Sequence, residues 1–277
     1  MNSQTFAGIP SPRVSVVMGV HRADPFIGAA VDSILHQTFV DFEFLIVVDA
    51  GSPEIRDYIS ERYPDDARIR LLEAPSLGGL ALALNMGIAH ARGEYIARMD
   101  ADDISHPDRL QEQVSYLDAN SAVAVVGCRV QLIDSNSETV NRKFPFYESD
   151  RQIRRVLPFK NPMAHPALLL RRSAIYAVRG YMYAHAGEDH EMLLRMARDP
   201  GCKLHNLDKL LFCYRRHDQQ GTHPYRIKAM SSERSGVLFT EFLRTYSPRY
   251  LLAIFLIQPW LSRIRMAVRN LRTGSKE

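Results

Sequence analysis

Gly93-Glu94-Tyr95-Ile96-Ala97-Arg98-Met99-Asp100-Ala101-Asp102-Asp103 is the stretch that decides the fold. Its first half reads as a buried strand, and three carboxylates crowd the end of it. Like charges this close repel unless something positive sits among them. A hard divalent cation with oxygen ligands, carrying a phosphorylated substrate, resolves that repulsion. The segment therefore points to metal-assisted chemistry on a nucleotide or phosphate ester. A bare Asp-x-Asp also suits an acidic loop capping the helix that starts near Pro107, so its place at a strand end is what gives it weight.

Upstream, apolar runs alternate with helical spacing. Val14–Met18 reads as a first strand, and Pro25–Gln37 carries Phe26, Ile27, Ala30, Val31, Ile34 and Leu35 on one helical face. Glu43–Val48 is a second strand, ending in the turn Asp49-Ala50-Gly51-Ser52-Pro53. Glu54–Tyr63 is helical, Ile69–Leu72 is a short strand, and a helix from Leu80 to Arg92 leads into the carboxylate strand. This alternation predicts an α/β fold with a mostly parallel central sheet flanked by helices. Ligands of such sheets gather at the carboxyl ends of the strands, where Asp49 and Asp100–Asp103 fall.

Downstream, a helix to Asn120, a strand Val123–Val130, a short helix Ser149–Leu157, a strand-like Ala167–Leu170, a helix Met192–Arg198 and a strand Lys209–Arg215 are expected. Two further constellations carry chemistry. Glu188-Asp189 precedes a helix and offers a general base, or favourable charge at a helix N-terminus. His217, in Tyr214-Arg215-Arg216-His217, offers an imidazole to a metal, with Arg215 nearby to pair with phosphate, or is a surface histidine.

Composition bounds these readings. The 277 residues suffice for one large domain with an appendage, and 46% hydrophobic against 24% charged residues implies a packed core. Cys128, Cys202 and Cys213 show no CxxC spacing, so neither a zinc site nor a disulfide framework is indicated, and a reducing cytoplasm fits. Met1–Pro12 lacks the features of a signal peptide, and no apolar stretch reaches the ~18–20 residues of a spanning helix. The charge is uneven: from Arg226 onward there are ten Lys/Arg against three Asp/Glu, and before it 25 against 28. The tail's apolar content favours lipid over nucleic acid as its partner.

Taken in order, these motifs resemble the family 2 glycosyltransferases of GT-A (Rossmann-like) fold, over about Pro12 to Thr222. The matching segments are Ser33-Ile34-Leu35-His36-Gln37-Thr38, the Asp49-Ala50-Gly51-Ser52 turn, Asn85 with Gly87, Asp100–Asp103 with Pro107 and Arg109, Asn161–Pro166, Glu188-Asp189 and Tyr214–His217. The resemblance implies an inverting, metal-dependent transfer of a sugar from a nucleotide-sugar, of UDP type, to a saccharide or lipid-linked saccharide in cell-surface glycan synthesis. It implies that Val20, His21, Asp49, Asn85, Asp100 and Ala101 meet the donor nucleotide. Asp102 and His217 would hold Mn²⁺ or Mg²⁺, Asp189 would be the base, and Glu188, Arg215 and His165 would support it.

The chain departs from the family pattern at Ala50, where a second acid is usual, and at Gly19-Val20-His21-Arg22 after the first strand. A catalytically silent nucleotide-sugar-binding scaffold and a sugar nucleotidyltransferase are the rival readings. The second would want a Gly-rich loop after the first strand, and Met18–Pro25 has only Gly19. Residues 12–225 are expected to form the catalytic domain and 226–277 a basic amphipathic helical tail. Tyr250–Leu261, roughly 18 Å as a helix, is too short to span a bilayer of roughly 30 Å. With Arg263, Arg265, Arg269 and Arg272 behind it, the tail reads as an interfacial helix on anionic lipid at the inner face of the cell membrane, or as a helix packed on the domain. Acceptor recognition is assigned to residues 134–185 and the tail.

Overall fold

The computed structural model describes residues 11–22, 24–50, 52–75, 79–182, 187–217 and 224–258, with the side chains of 224–230 excepted. Strand β1 (Val14–Val20) leads through α1 (Ile27–Leu35), β2 (Phe42–Asp49), α2 (Pro53–Arg62), β3 (Ile69–Ala74) and α3 (Gly79–His90) to β4 (Tyr95–Met99). Then follow β5 (Ile104–Ser105), α4 (Arg109–Ala119), β6 (Val123–Ile133), α5 (Asp150–Val156), a 3-10 turn (His165–Ala167), β7 (Leu169–Arg171) and α6 (Arg172–Ala177). The described chain closes with α7 (Glu188–Met196), β8 (Lys203–Arg215), α8 (Pro224–Thr245) and α9 (Pro248–Leu256).

These strands form one eight-stranded sheet in the order β3-β2-β1-β4-β7-β6-β8-β5. The first four run parallel, and β6 and β8 are also parallel, so the sheet is mostly parallel as the alternation predicts. The short β7 enters antiparallel between β4 and β6. Alternate residues of β1 feed the two faces: Val14, Val16, Met18 and Val20 join one core cluster and Val17 the other. Burial on both sides explains why these strands read as continuous apolar runs rather than alternating ones.

Gly87 shows why α3 needs a glycine. A Cβ there would come within 2.5 Å of the Val17 side chain, so its absence lets the helix lie directly on β1. Several elements differ from expectation. β8 starts at Lys203 rather than Lys209, because His205, Asn206 and Asp208 break the apolar pattern where its register with β6 shifts. β5 and α6 are too short to leave a periodic signal. α7 starts at Glu188, four residues before Met192, with Gly187 in the left-handed region (φ 80°) just ahead of it. Its first turn is acidic, which the positive end of the helix favours.

The described part of the tail packs on the domain. Val237, Leu238 and Ala253 are buried in the cluster that holds Met192, Leu193 and Leu194. Arg198 pairs with Glu241, and Arg249 donates to the carbonyls of Arg154 and Arg155. Among the described residues no helix is long and apolar enough to cross a membrane. The segment from Pro259, with Arg263, Arg265, Arg269 and Arg272, lies outside the described residues, as do Gly51 and Tyr183.

Candidate active site

The parallel half of the sheet sets the positions. Met99 of β4 lies beside Met18 of β1, and Val20 lies beside Val48 of β2. Val20, His21, Asp49 and Asp100 therefore share one edge, where the carboxyl ends of three strands meet. Val20 is buried, His21 is exposed, and the His21 carbonyl accepts from the Ser52 hydroxyl. Ala101 is half-buried against the core, turning the chain so that Asp102 and Asp103 follow.

The Ser33–Thr38 segment explains itself here. Gln37 is buried, donates to the Ser105 hydroxyl and the His106 carbonyl, and accepts from the Leu110 N–H at 3.0 Å. Ser33 accepts from the Ser105 N–H, and Thr38 donates to the Pro107 carbonyl. The end of α1 thus clamps the chain that leaves the carboxylate turn. Arg109 clamps it from beneath: fully buried, it donates to the carbonyls of Arg98 and Leu168 and stacks on Phe212, and burial lowers its guanidinium to about 10.

One oxygen from each of Asp100, Asp102 and Asp103 falls within 4.8 Å of the others. Burial raises the Asp100 carboxyl, opposed by Arg98 and reinforced by Asp102 and Asp189. Asp103 is pushed well above its ordinary value by burial, then by Asp100 and Asp102. Its Oδ1 accepts from the Arg215 N–H, while its Oδ2 is buried with no hydrogen-bond partner. His217 Nε2 stands 3.1 Å from Asp102 Oδ2. Three hard oxygen donors that repel one another, an orphaned carboxylate oxygen and an adjacent imidazole fit Mg²⁺ or Mn²⁺.

Arg215 is held inside the turn. It is 1% exposed, and its guanidinium donates to the carbonyls of Asp102 and Asp134 and to the Ser137 hydroxyl. Its charged end also lies 4.1 Å from the Phe26 ring. It braces the carboxylate turn from within.

On the other side, Asp189 sits in the first turn of α7. Burial works to raise its carboxyl; His165, His190, the His190 N–H and the Asn161 amide outweigh burial and hold it below the ordinary value. Asn161 Nδ2 donates to Asp189 Oδ2 at 2.6 Å, and the His190 N–H donates to Oδ1 at 2.7 Å. Burial also lowers His165 to about 3 and His190 to about 4. Both rings are therefore neutral at neutral pH, and the two hydrogen bonds with the helix terminus keep Asp189 ionised there. Burial and the neighbouring Asp189 raise Glu188.

His165 packs edge-on to Tyr181, with Nε2 2.6 Å from the Tyr181 hydroxyl. Asn85 holds that same tyrosine, donating to its carbonyl and accepting from its N–H. Both ends of the Asn85 amide thus tie α3 to the Tyr181 main chain, a structural task the motif alone did not disclose. Arg98 is the residue that the motifs missed. It is fully buried, pairs with Asp100, and is near enough to His165 to oppose its protonation. A lone arginine inside the apolar run Tyr95–Met99 is the signal that marks it.

The sequence model of the family described as Glycosyl transferase family 2 matches residues 15–179. The O-antigen biosynthesis glycosyltransferase WbnJ of Escherichia coli is 35% identical over 209 residues, covering 74% of this chain and 80% of WbnJ. The putative glycosyltransferase EpsE of Bacillus subtilis (strain 168) is 30% identical over 207 residues, covering 73% and 72%. Among solved structures, the mannosyltransferase PcManGT from Pyrobaculum calidifontis, in complex with GDP-Man and Mn²⁺, superimposes with a TM-score of 0.64 at 22% identity over 96% of this chain and 76% of its own. S. aureus TarS 1–349 in complex with UDP-GlcNAc gives 0.61 at 14% identity, over 89% and 82%. In another crystal structure of S. aureus TarS 1–349, the match covers 65% of that chain's length. A family match across residues 15–179 and a 35% identical relative covered over four-fifths of its length place the chain in glycosyl transferase family 2: it is a glycosyltransferase of GT-A fold.

Proposed function

We propose that the chain transfers a sugar from a UDP-sugar, with inversion at the anomeric carbon, to a saccharide or lipid-linked saccharide of a cell-surface glycan. The observation that carries this reading is the mutual placement of the Asp100–Asp102–Asp103 cluster with His217 and the ionised Asp189 within electrostatic reach of Asp100. Neighbours of the same fold solved with UDP-GlcNAc and with GDP-Man support a nucleotide-sugar donor.

In this reading Asp49 and Asp100 contact the nucleoside beside Val20 and His21. Asp102 and His217 hold Mn²⁺ or Mg²⁺, which neutralises charge on the departing diphosphate when bound. Asp189 takes the proton from the acceptor hydroxyl, whose oxygen forms the new bond to the anomeric carbon as the bond to the diphosphate oxygen breaks. Asn161 and the His190 N–H keep the base oriented without competing for its proton. The enzyme works on the inner face of the cell membrane. There Phe239 and Leu243 on α8, Tyr246 just past its end, and Leu251 and Leu252 on α9 present exposed apolar side chains to lipid.

Calorimetry tests the donor site. UDP should bind the native chain only with Mn²⁺ present, and Asp102→Asn should abolish that binding. Equal UDP binding with and without metal would overturn the metal assignment. Tighter binding of GDP or dTDP than of UDP would overturn the uridine assignment.

A further inference from the structure

A cavity of about 450 Å³ lies between β6 and the strap formed by residues 139–146. Its size suits a small ligand or a terminal sugar. The strap is tied at both ends: the Val140 N–H bonds the Leu132 carbonyl, and Asn206 on β8 bonds the Tyr147 carbonyl through its side chain and the Glu148 carbonyl through its N–H. The cavity is therefore a preformed wall rather than a fold of loose chain.

Its lining is one-sided in charge. Among the described residues, Arg129, Arg142 and Lys143 line it, and no Asp or Glu does. Arg129 is ion-paired with Asp208 and stacks on Phe146. Among the described residues, Arg142 and Lys143 are exposed and have no ion-pair partner. Phe144 and Phe146 supply apolar surface of the kind on which sugar rings stack.

The cavity is also joined to the chemistry. Pro162 and Ala164 form part of its wall, and the residue before Pro162, Asn161, hydrogen-bonds the base Asp189. On the opposite side Phe144 meets Tyr214, with ring centres 6.3 Å apart, one residue before the arginine that braces the carboxylate turn.

We propose that this cavity is the acceptor subsite and that it takes a saccharide bearing a negative charge. The shared chemistry is an anionic group, carboxylate or phosphate, held by Arg142 and Lys143 while an adjoining ring lies on Phe144. The assignment rests on the transferase reading above.

The test uses full-length protein saturated with UDP and Mn²⁺, titrated with glucuronic acid, glucose 1-phosphate and neutral methyl glucoside, followed by ligand-observed NMR. At least one anionic sugar should bind tenfold or more tighter than the neutral one, and added salt should weaken it. Glucuronic acid binding first points to an acidic sugar; the phosphate binding first points to a phosphorylated or diphosphate-linked acceptor. The exposed pair Arg142→Gln with Lys143→Gln should lose that preference at least tenfold and keep its UDP affinity and melting temperature. Equal binding of the neutral glycoside, or unchanged anion binding in the double variant, overturns the proposal. Absence of UDP binding in the native protein would instead overturn the donor reading, and the two failures are separately visible.

Discussion

His217 Nε2 lies 3.1 Å from Asp102 Oδ2, joining the chain just past β8 to the turn after β4 across 115 residues. Phe26 fixes the imidazole, with ring centres 5.4 Å apart, and the Phe26 ring in turn lies 4.1 Å from the buried guanidinium of Arg215. The ring is thus aimed at the carboxylates before any ligand arrives. In His217→Asn, Mn²⁺-dependent UDP binding should weaken by about 10- to 100-fold, with the melting temperature of the metal-free protein nearly unchanged. Equal Mn²⁺ titrations for the variant and the native chain would remove His217 from the metal site.

Asp189 and its partner Asn161 separate proton transfer from binding. Asp189→Asn should keep Mn²⁺-dependent UDP affinity and lose about 10²- to 10⁴-fold in kcat. Asn161→Ala deletes a hydrogen bond to the ionised form, so the Asp189 pKa rises. The acid limb of its kcat–pH profile should then move to higher pH, with UDP affinity unchanged. A profile that falls in height without moving would mean that Asn161 only supports the loop.

Much of this was legible in the sequence because the signals are local. The runs Val14–Val20 and Phe42–Asp49 are mostly apolar on both faces, broken chiefly by Ser15 and Glu43, and that is what a strand buried on both faces requires. The Asp100–Asp103 turn announces itself because three carboxylates follow directly on a buried strand. What stayed hidden depends on contacts far apart in the chain. Nothing near Arg215 says that Asp134 and Ser137 will take its donors, and nothing near Asn85 says that Tyr181 will take both ends of its amide. β8 was underestimated for a related reason: its polar residues His205, Asn206 and Asp208 sit in a true strand whose bulges break the period.

The buried histidines give the fold a pH dependence of definite sign. His190 titrates near 4 in the folded chain, lowered first by burial and then by Arg234, against about 6.5 unfolded. The unfolded chain therefore binds a proton between these values that the folded chain refuses. Its contribution to stability is complete above pH 6.5 and is lost as pH falls toward 4. His165, at about 3, acts in the same direction. Urea unfolding at pH 7 and pH 5 should show the native chain losing stability, and His190→Gln should shrink that loss by about 2 kcal/mol. An identical pH 7-to-5 loss in the variant would show that His190 does not carry the effect.

The α8–α9 pair has one face on the domain and one facing out. Val237, Leu238 and Ala253 are buried, whereas Leu243 is 53% exposed, Tyr246 78% and Leu252 52%. Since the outer residues do not hold the fold, charging them tests the lipid reading without unfolding the enzyme. Each buried leucine side chain contributes about 2 kcal/mol on leaving water. Leu243→Glu with Leu252→Glu should therefore lower co-sedimentation with vesicles of phosphatidylglycerol by tenfold or more, leaving the melting temperature and UDP binding as they were. The native chain should also prefer these vesicles to pure phosphatidylcholine, because the half-exposed Arg244 lies at the end of α8, where anionic head groups would meet it. If the double variant sediments with the vesicles as the native chain does, this face is not the one that meets the membrane.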